Sequence, residues 1–263
     1  MSSLLVHPTA SIGEGFAPTP FSVVDEGVVI GDGVRLGSFS HLCAMARVGD
    51  GAFVGDHVTV CAKANVGARC VISDFAMVGE RNVDSAQRIA VEPAGVEIGE
   101  GCSVGSHTVL RAGSVIGTDC IVEDGAQVGA RCRIGAGSTI GRGAIVENDV
   151  VIGARTAIQP SAFICAHTVI EDDCFIGPGT LTTNDAYLGR TEERFKHLKG
   201  CTVRRGARIG AGAVILPAVE VGADALVAAA SVVTHDVPPG TIVMGSPARP
   251  SGEVSPEMRL DAD

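Results

Sequence analysis

The sequence predicts an all-β fold, a parallel β-helix, and three observations carry that prediction. An aliphatic residue recurs every sixth position: from Val6 to Val78 with Pro18 as the one break, from Ile98 to Ile176 with none, and from Val203 to Val233. A period of six matches neither the 3.6 of an α-helix nor simple alternation, and a sustained short period marks a repeat architecture. Each aliphatic residue is usually followed by Gly, with a small residue four places on, as in Ile98-Gly99-Glu100-Gly101-Cys102-Ser103 and Ile134-Gly135-Ala136-Gly137-Ser138-Thr139. Composition agrees: 35 of 263 residues are Gly, aromatics are 3% and there is no Trp, which suits a narrow interior without room for large rings.

Each part of the hexad has a physical role. The β-branched aliphatic suits a flat strand. Gly-x-Gly suits a tight corner, where Gly takes backbone angles that other residues resist. The small residue fits where the interior is too narrow for a second large side chain. The pattern resembles that of left-handed β-helices, in which three hexads close one triangular coil of eighteen residues. That resemblance implies a hand opposite to the usual crossover. About ten coils, eleven at most, are expected over residues 1–250, followed by a C-terminal tail at 251–263 in which Ser255-Pro256-Glu257 reads as a helix start. The register breaks twice, over 79–97 and 183–202, and solenoids extrude such insertions as loops, often on the binding face.

The net charge of −10, with no basic stripe, argues against bulk nucleic-acid binding. The opening residues lack the basic region and apolar run of a secretion signal, and no stretch of eighteen apolar residues suggests a membrane span, so a cytoplasmic protein is expected. Of nine cysteines, Cys70, Cys102, Cys120, Cys132, Cys174 and Cys201 fall in the small inward slot, whereas Cys43, Cys61 and Cys165 replace the Gly after the aliphatic position. With no CxxC pair, reduced core residues are expected rather than a metal or disulfide framework.

Residues eighteen apart stack one coil above another, roughly 4.7–4.9 Å apart. Asp149, His167 and Asp185 therefore fall in one corner column, beside Asn148, Ala166 and Asn184. A carboxylate beside an imidazole favours its protonated form and fixes its tautomer, the setting of an oriented general base. The column directly precedes the second insertion, which holds the chain's one Tyr and a run of charges. The other histidines are less telling: His57 and His107 have Phe75 and Gly125 eighteen residues on, and His7, His41 and His197 have no register partner that suggests chemistry.

These pieces together resemble a known family. Val6-His7-Pro8-Thr9-Ala10 is similar to the opening of hexapeptide-repeat transferases. Ile170-Glu171-Asp172-Asp173-Cys174-Phe175-Ile176-Gly177-Pro178 with Thr183-Asn184-Asp185, and Lys199-Gly200 leading to Ile209-Gly210-Ala211-Gly212-Ala213-Val214-Ile215-Leu216-Pro217, resemble sugar-nucleotide N-acyltransferases. So does the ending from Ala230-Ser231 through His235-Asp236-Val237-Pro238 to Gly245-Ser246-Pro247-Ala248-Arg249. The length is most like that of enzymes acetylating dTDP-linked amino-dideoxy sugars. The resemblance implies a homotrimer in which acetyl-CoA, the acyl donor, lies between adjacent β-helices and passes its acyl group directly to an amine, with no metal. Register and resemblance together make His167, Asp149, Asp185 and Asn184 candidates for catalysis; Asn148, Gln159, Arg190 and Lys199 for the sugar-nucleotide acceptor; and Ala213, Ser231, His235 and Arg249 for CoA. Two positions depart from the family pattern: His235 stands where Lys is common, and Pro160 follows Gln159 where shorter relatives carry Asn.

Three other functions weigh against this one. A zinc carbonic anhydrase on the same scaffold needs three His ligands, and its His-x4-His pair is absent. A structural β-helix would show a regular Thr or Ser ladder and no functional loops. Acyl transfer to another small amine or hydroxyl fits the same scaffold, since fold does not choose a substrate.

Overall fold

Each hexad forms a two-residue strand whose second residue is the aliphatic one. Val23–Val24, Val29–Ile30 and Arg35–Leu36 make one turn, and the next begins with His41–Leu42, paired in parallel with Val23–Val24. The alternation of a strand sends the aliphatic member inward and its neighbour outward; Leu36, Leu42, Ile72 and Ile158 are at most 1% exposed. In this computed structural model, which describes residues 4–80 and 95–260, the fold is the expected left-handed parallel β-helix with almost no helix. Residues 81–94 of the first expected loop lie outside the described residues.

About twelve turns form, slightly more than the ten or eleven expected. Pro18 does not interrupt the pattern: Ala17–Pro18 pairs with Arg35–Leu36. A proline is tolerated on an edge strand, where no ladder hydrogen bond is lost. The last turn, in turn, is invisible to a count by six. Val221 bridges Val237, and Val227 pairs with Val243, so this turn is two residues short.

The chain divides into two compact units, Met1–Cys132 and Arg133–Asp263. In the first, Val60 pairs with Val78 at the regular spacing, but Val66 pairs with Ile98, which places the insertion after the strand Met77–Glu80. In the second, Ile170 pairs with Val203 and Ile176 with Ile209, so the register resumes unchanged beyond the second insertion. This unit ends in an antiparallel hairpin of Thr241–Gly245 and Ala248–Glu253, whose turn contains the cis Ser246–Pro247 peptide. Its second strand runs across residues 250 and 251, the expected boundary between β-helix and tail. Val254 is buried and donates its amide to the Gly240 carbonyl, and a short 3-10 turn covers Pro256–Met258, the expected helix start.

The two glycines of the hexad do different work. The second, three residues after the aliphatic position, is where φ turns positive, but Phe39, His57, Arg69, Asp149, His167 and Asp173 take the same left-handed conformation there. Their side chains point outward, so each such corner costs only the intrinsic penalty of about 1–2 kcal/mol. The first glycine is needed for closeness instead. A Cβ on Gly99 would lie 2.7 Å from the Thr118 amide nitrogen and 2.8 Å from the Gly117 carbonyl carbon.

Large rings are excluded from the interior as expected; none of the eight Phe residues is buried. In the first unit they form an external feature that counting did not anticipate. Phe21, Phe39, His57, Phe75 and His107 stack ring on ring at one corner, with centroids 5.1, 4.9, 4.8 and 4.9 Å apart. The six slot cysteines are buried, and burial pushes the Cys174 and Cys201 thiols up to about 12.

Gly99→Ala is expected to lower the chemical-denaturation midpoint by the equivalent of about 1–3 kcal/mol, the usual range for overpacking. Gly125→Asn, at a positive-φ corner where an added Cβ would meet nothing within 4 Å, should cost less than about 1 kcal/mol. Equal costs at the two sites would contradict the division of roles. Phe39→Ala, which removes two stacked pairs, should cost about 1–3 kcal/mol.

Candidate active site

The corner bearing Asp149 and His167 is built from regular ladder contacts. The turn after Phe163–Ile164 places His167 in the left-handed region, φ 65°, with its amide donating to the Asn148 carbonyl at 3.3 Å. Asp149, φ 60°, holds the equivalent position one turn earlier. The ring of His167 is exposed and Asp149 is half-buried. Glu147 supports the corner: its carboxylate accepts the Ala166 amide at 3.0 Å. Beneath lie buried polar groups, with the Thr182 hydroxyl accepting the Cys165 amide at 2.8 Å and the Cys165 thiol 3.3 Å from the Thr168 hydroxyl.

One turn on, the chain leaves the coil. Thr183 is still in the ladder, its amide on the Ile215 carbonyl, so departure comes after Asn184 and return at Lys199. The two ends of the excursion meet, the Lys199 amide donating to the Asn184 carbonyl at 2.9 Å. The Asn184 side-chain amide donates to the Ala166 carbonyl at 3.2 Å, supplying the donor that a continuing backbone would have supplied. Gly200 is required at re-entry, because a Cβ there would collide with the Thr168 backbone. The extruded segment is therefore 185–198, narrower than the expected 183–202.

Asp185 does not extend the Asp149–His167 column as its spacing suggested. Its carboxylate turns into its own loop, accepting the Tyr187 amide at 2.8 Å, the Gly189 amide at 2.9 Å and the Arg194 guanidinium at 2.9 Å. Partial desolvation raises the Asp185 carboxyl. The amides of Gly189 and Tyr187 and the charge and hydrogen bond of Arg194 outweigh that, so it is held below its ordinary 3.8. Arg194 in turn lies 4.3 Å from the Phe195 ring centroid, and Tyr187 packs on His197 with centroids 5.7 Å apart. A 3-10 turn over Glu192–Lys196 completes the loop. Arg190 is exposed on it, and Lys199 is exposed where the chain re-enters the coil.

The remaining expected residues fall elsewhere. Gln159 lies at the opposite end of the Phe163–Ile164 strand from His167, at a different corner of the same turn. Asn148 sits beside Asp149, as its column implied, and is half-buried. His235 and Arg249 come together: both line a cavity of about 270 Å³ with Val233, Asp236, Val237, Pro238, Val243, Ala248 and Pro250. The shortened last turn and the hairpin create it. Ala213 and Ser231 do not reach that cavity's lining. Ala213 is fully buried with both backbone groups in hydrogen bonds, and the Ser231 hydroxyl is buried against the Gly245 amide. Both occupy the small inward slot, which leaves neither side chain for a ligand.

Sequence reasoning missed Glu147, Arg194 and a contact of His41. Glu147 reaches a residue nineteen away, one off the column spacing. Arg194 lies in a loop with no period. His41 pairs with Asp25, Nε2 to Oδ2 at 2.8 Å, along a sixteen-residue diagonal that a search by eighteen does not test. Among the described residues no helix is long and apolar enough to cross a membrane.

Two segments match families of transferase repeats: residues 108–142 match "Bacterial transferase hexapeptide (six repeats)", and residues 200–235 match "Hexapeptide repeat of succinyl-transferase". Similar curated proteins include a serine acetyltransferase of Buchnera aphidicola subsp. Acyrthosiphon pisum, 43% identical over 68 residues, 26% of this chain and 25% of that protein. A 2,3,4,5-tetrahydropyridine-2,6-dicarboxylate N-acetyltransferase of Staphylococcus aureus is 61% identical over 41 residues, 16% of this chain and 17% of that one. The chain thus spans about a quarter or less of the length of these curated relatives. Among solved structures, an Arabidopsis UDP-N-acetylglucosamine acyltransferase superposes with a TM-score of 0.57 at 20% identity, over 96% of this chain and 73% of that one, a likeness of fold.

Because the Asp185 carboxyl is lowered in the folded loop, its contribution to loop order is fully present above 3.8 and is lost as pH falls through the lower folded value. Tyr187 is the one Tyr in a chain without Trp, so its fluorescence anisotropy reports this loop. Anisotropy should hold from neutral pH down to about pH 4 and drop only below that. In Asp185→Asn it should already be low at neutral pH, with faster tryptic cleavage at Arg190 and Arg194. An Asp185→Asn loop as rigid and protected as the wild type would overturn the clamp.

Proposed function

We propose that this hexapeptide-repeat β-helix is a CoA-dependent acyltransferase that moves an acetyl group from acetyl-CoA to the amine of a nucleotide-linked amino sugar. The observation that carries this reading is His167: an exposed imidazole on a rigid corner, one turn after Asp149 and beside a loop clamped by Asp185 and Arg194. The repeat matches at 108–142 and 200–235 and the acetyltransferase names of the similar proteins support the reaction class.

The chemistry needs a neutral amine, a polarised thioester carbonyl and a route for one proton. The amine lone pair attacks the thioester carbon while His167, neutral and accepting, takes the amine proton. The product of that attack is a tetrahedral oxyanion. It collapses with cleavage of the C–S bond, and the CoA thiolate leaves and regains the proton from His167. Asp149 orients the imidazole. Asn184 acts by holding the loop's departure point through Ala166, and Asp185 acts through the loop it clamps. Arg190 and Lys199 supply cations for a diphosphate. Arg249 and His235, in their shared cavity, meet the phosphates of CoA.

Gln159, Asn148 and His167 do not converge within one copy, since Gln159 stands at another corner. A second copy packed against the flat Phe163–Ile164 face would bring corners of two chains together, which supports a homotrimer with the site between subunits. A second reading of the acceptor, a small hydroxyl compound rather than an amine, is favoured by the serine acetyltransferase among the similar proteins.

The test is free-thiol release from acetyl-CoA with dTDP-amino sugars, UDP-amino sugars and small amino or hydroxy acids as acceptors. Release with one nucleotide sugar supports the principal reading; release only with a hydroxy compound supports the second. His167→Ala should lower kcat/KM about 10²–10⁴-fold with the fold intact. Arg249→Ala should raise the KM for acetyl-CoA while kcat holds. No thiol release with any acceptor, together with no thermal stabilisation by CoA, would sink both readings.

A further inference from the structure

We propose that Asp25, His41 and Cys43 form a binding site for a borderline divalent cation of the zinc type, separate from the acyl-transfer site and not required by it. His41 and Cys43 flank the inward Leu42, so strand alternation turns both outward. Asp25 stands opposite Cys43 on the preceding turn, its amide on the Leu42 carbonyl. The imidazole, carboxylate and thiol ligand atoms all lie within 4.8 Å of one another, and all three residues are half-buried. The His41 Nε2 to Asp25 Oδ2 distance is 2.8 Å.

Two features distinguish this cluster from a chance surface group. Its backbone is fixed: Val23 pairs with His41 and Val24 with Leu42, and Val24 and Leu42 are at most 1% exposed. The donors are also chemically mixed in the way zinc prefers. Nitrogen and oxygen ligands at about 2.0–2.2 Å and sulfur at about 2.3 Å, held tetrahedrally, stand roughly 3.3–3.7 Å from each other. The His41–Asp25 separation of 2.8 Å and the 4.8 Å limit on all three lie on either side of that range, so small side-chain adjustments would suit one ion. Three protein ligands leave a fourth position for water. Binding converts the Cys43 thiol to a metal-bound thiolate and releases its proton to solvent. Among the described residues no other group of three His, Cys, Asp or Glu side chains meets the same condition.

The experiment is titration of the full chain with Co2+ and Zn2+. Co2+ should saturate at one equivalent, with visible bands of tetrahedral intensity and a near-ultraviolet thiolate-to-cobalt charge-transfer band, both displaced by Zn2+. Cys43→Ser should abolish the charge-transfer band. His41→Ala and Asp25→Asn should each weaken Zn2+ binding by more than the roughly 10–100-fold that loss of a supporting partner costs. Far-ultraviolet circular dichroism should be unchanged in all three variants. Thiol release from acetyl-CoA should also be unchanged, which separates failure of this proposal from failure of the acyltransfer reading. Absence of a saturable cobalt spectrum, or a charge-transfer band and Zn2+ affinity that survive Cys43→Ser and His41→Ala, would overturn the site.

Discussion

Each turn of this chain is held to the next by a parallel backbone ladder, and that ladder dictates how every other feature can be accommodated. The Val23 amide meets the Ser40 carbonyl and the Asp25 amide the Leu42 carbonyl, and the pattern repeats wherever the period holds. At that spacing the interior takes one aliphatic and one small side chain per hexad, so rings must stand outside and glycine must sit where backbones nearly touch. An insertion is tolerated only if both its ends return to the same rung. Asn184 and Lys199 meet that demand with one backbone bond, one side-chain bond to Ala166 and a glycine at re-entry. The loop is thereby freed from the ladder's geometry while its base is fixed by it.

This division explains what could be read from the residues beforehand. Strand positions, inward slots, the burial of Cys70 or Cys174 and the corner placement of Asp149 and His167 follow from counting, because the ladder converts sequence spacing directly into height. Asp185 shows where counting stops. It keeps the right number but has left the coil, and its carboxylate answers to Tyr187, Gly189 and Arg194, contacts that no period encodes. Diagonals across a corner are hidden for a different reason: His41 and Asp25 are sixteen apart, so neither column nor hexad links them. The corner glycines were misread because one motif mixes two causes, backbone angle at the second position and backbone proximity at the first. Ala213 and Ser231 face inward: a motif resemblance does not say which way a side chain points, whereas the inward slot does.

The same logic separates the scaffold from the chemistry. Outward corner positions are structurally permissive, since Phe, His, Arg, Asp and Ser all take the left-handed conformation there. Side chains at those corners can be exchanged with little effect on the core beneath. An imidazole at position 167 is thus presented by a site that could have carried almost any residue, on a backbone anchored by Glu147 and Asn148.

The closing hairpin has a further consequence. A stack of parallel rungs ends in a row of unpaired backbone groups, and such an edge invites another chain to add on. Here the final parallel strand, Thr241–Gly245, is covered by Ala248–Glu253 running the opposite way. That outer strand carries Pro250, which has no N–H to offer, and Val254 folds in behind it. On that one of the three faces, the C-terminal edge of the ladder is therefore a poor template for another chain to extend.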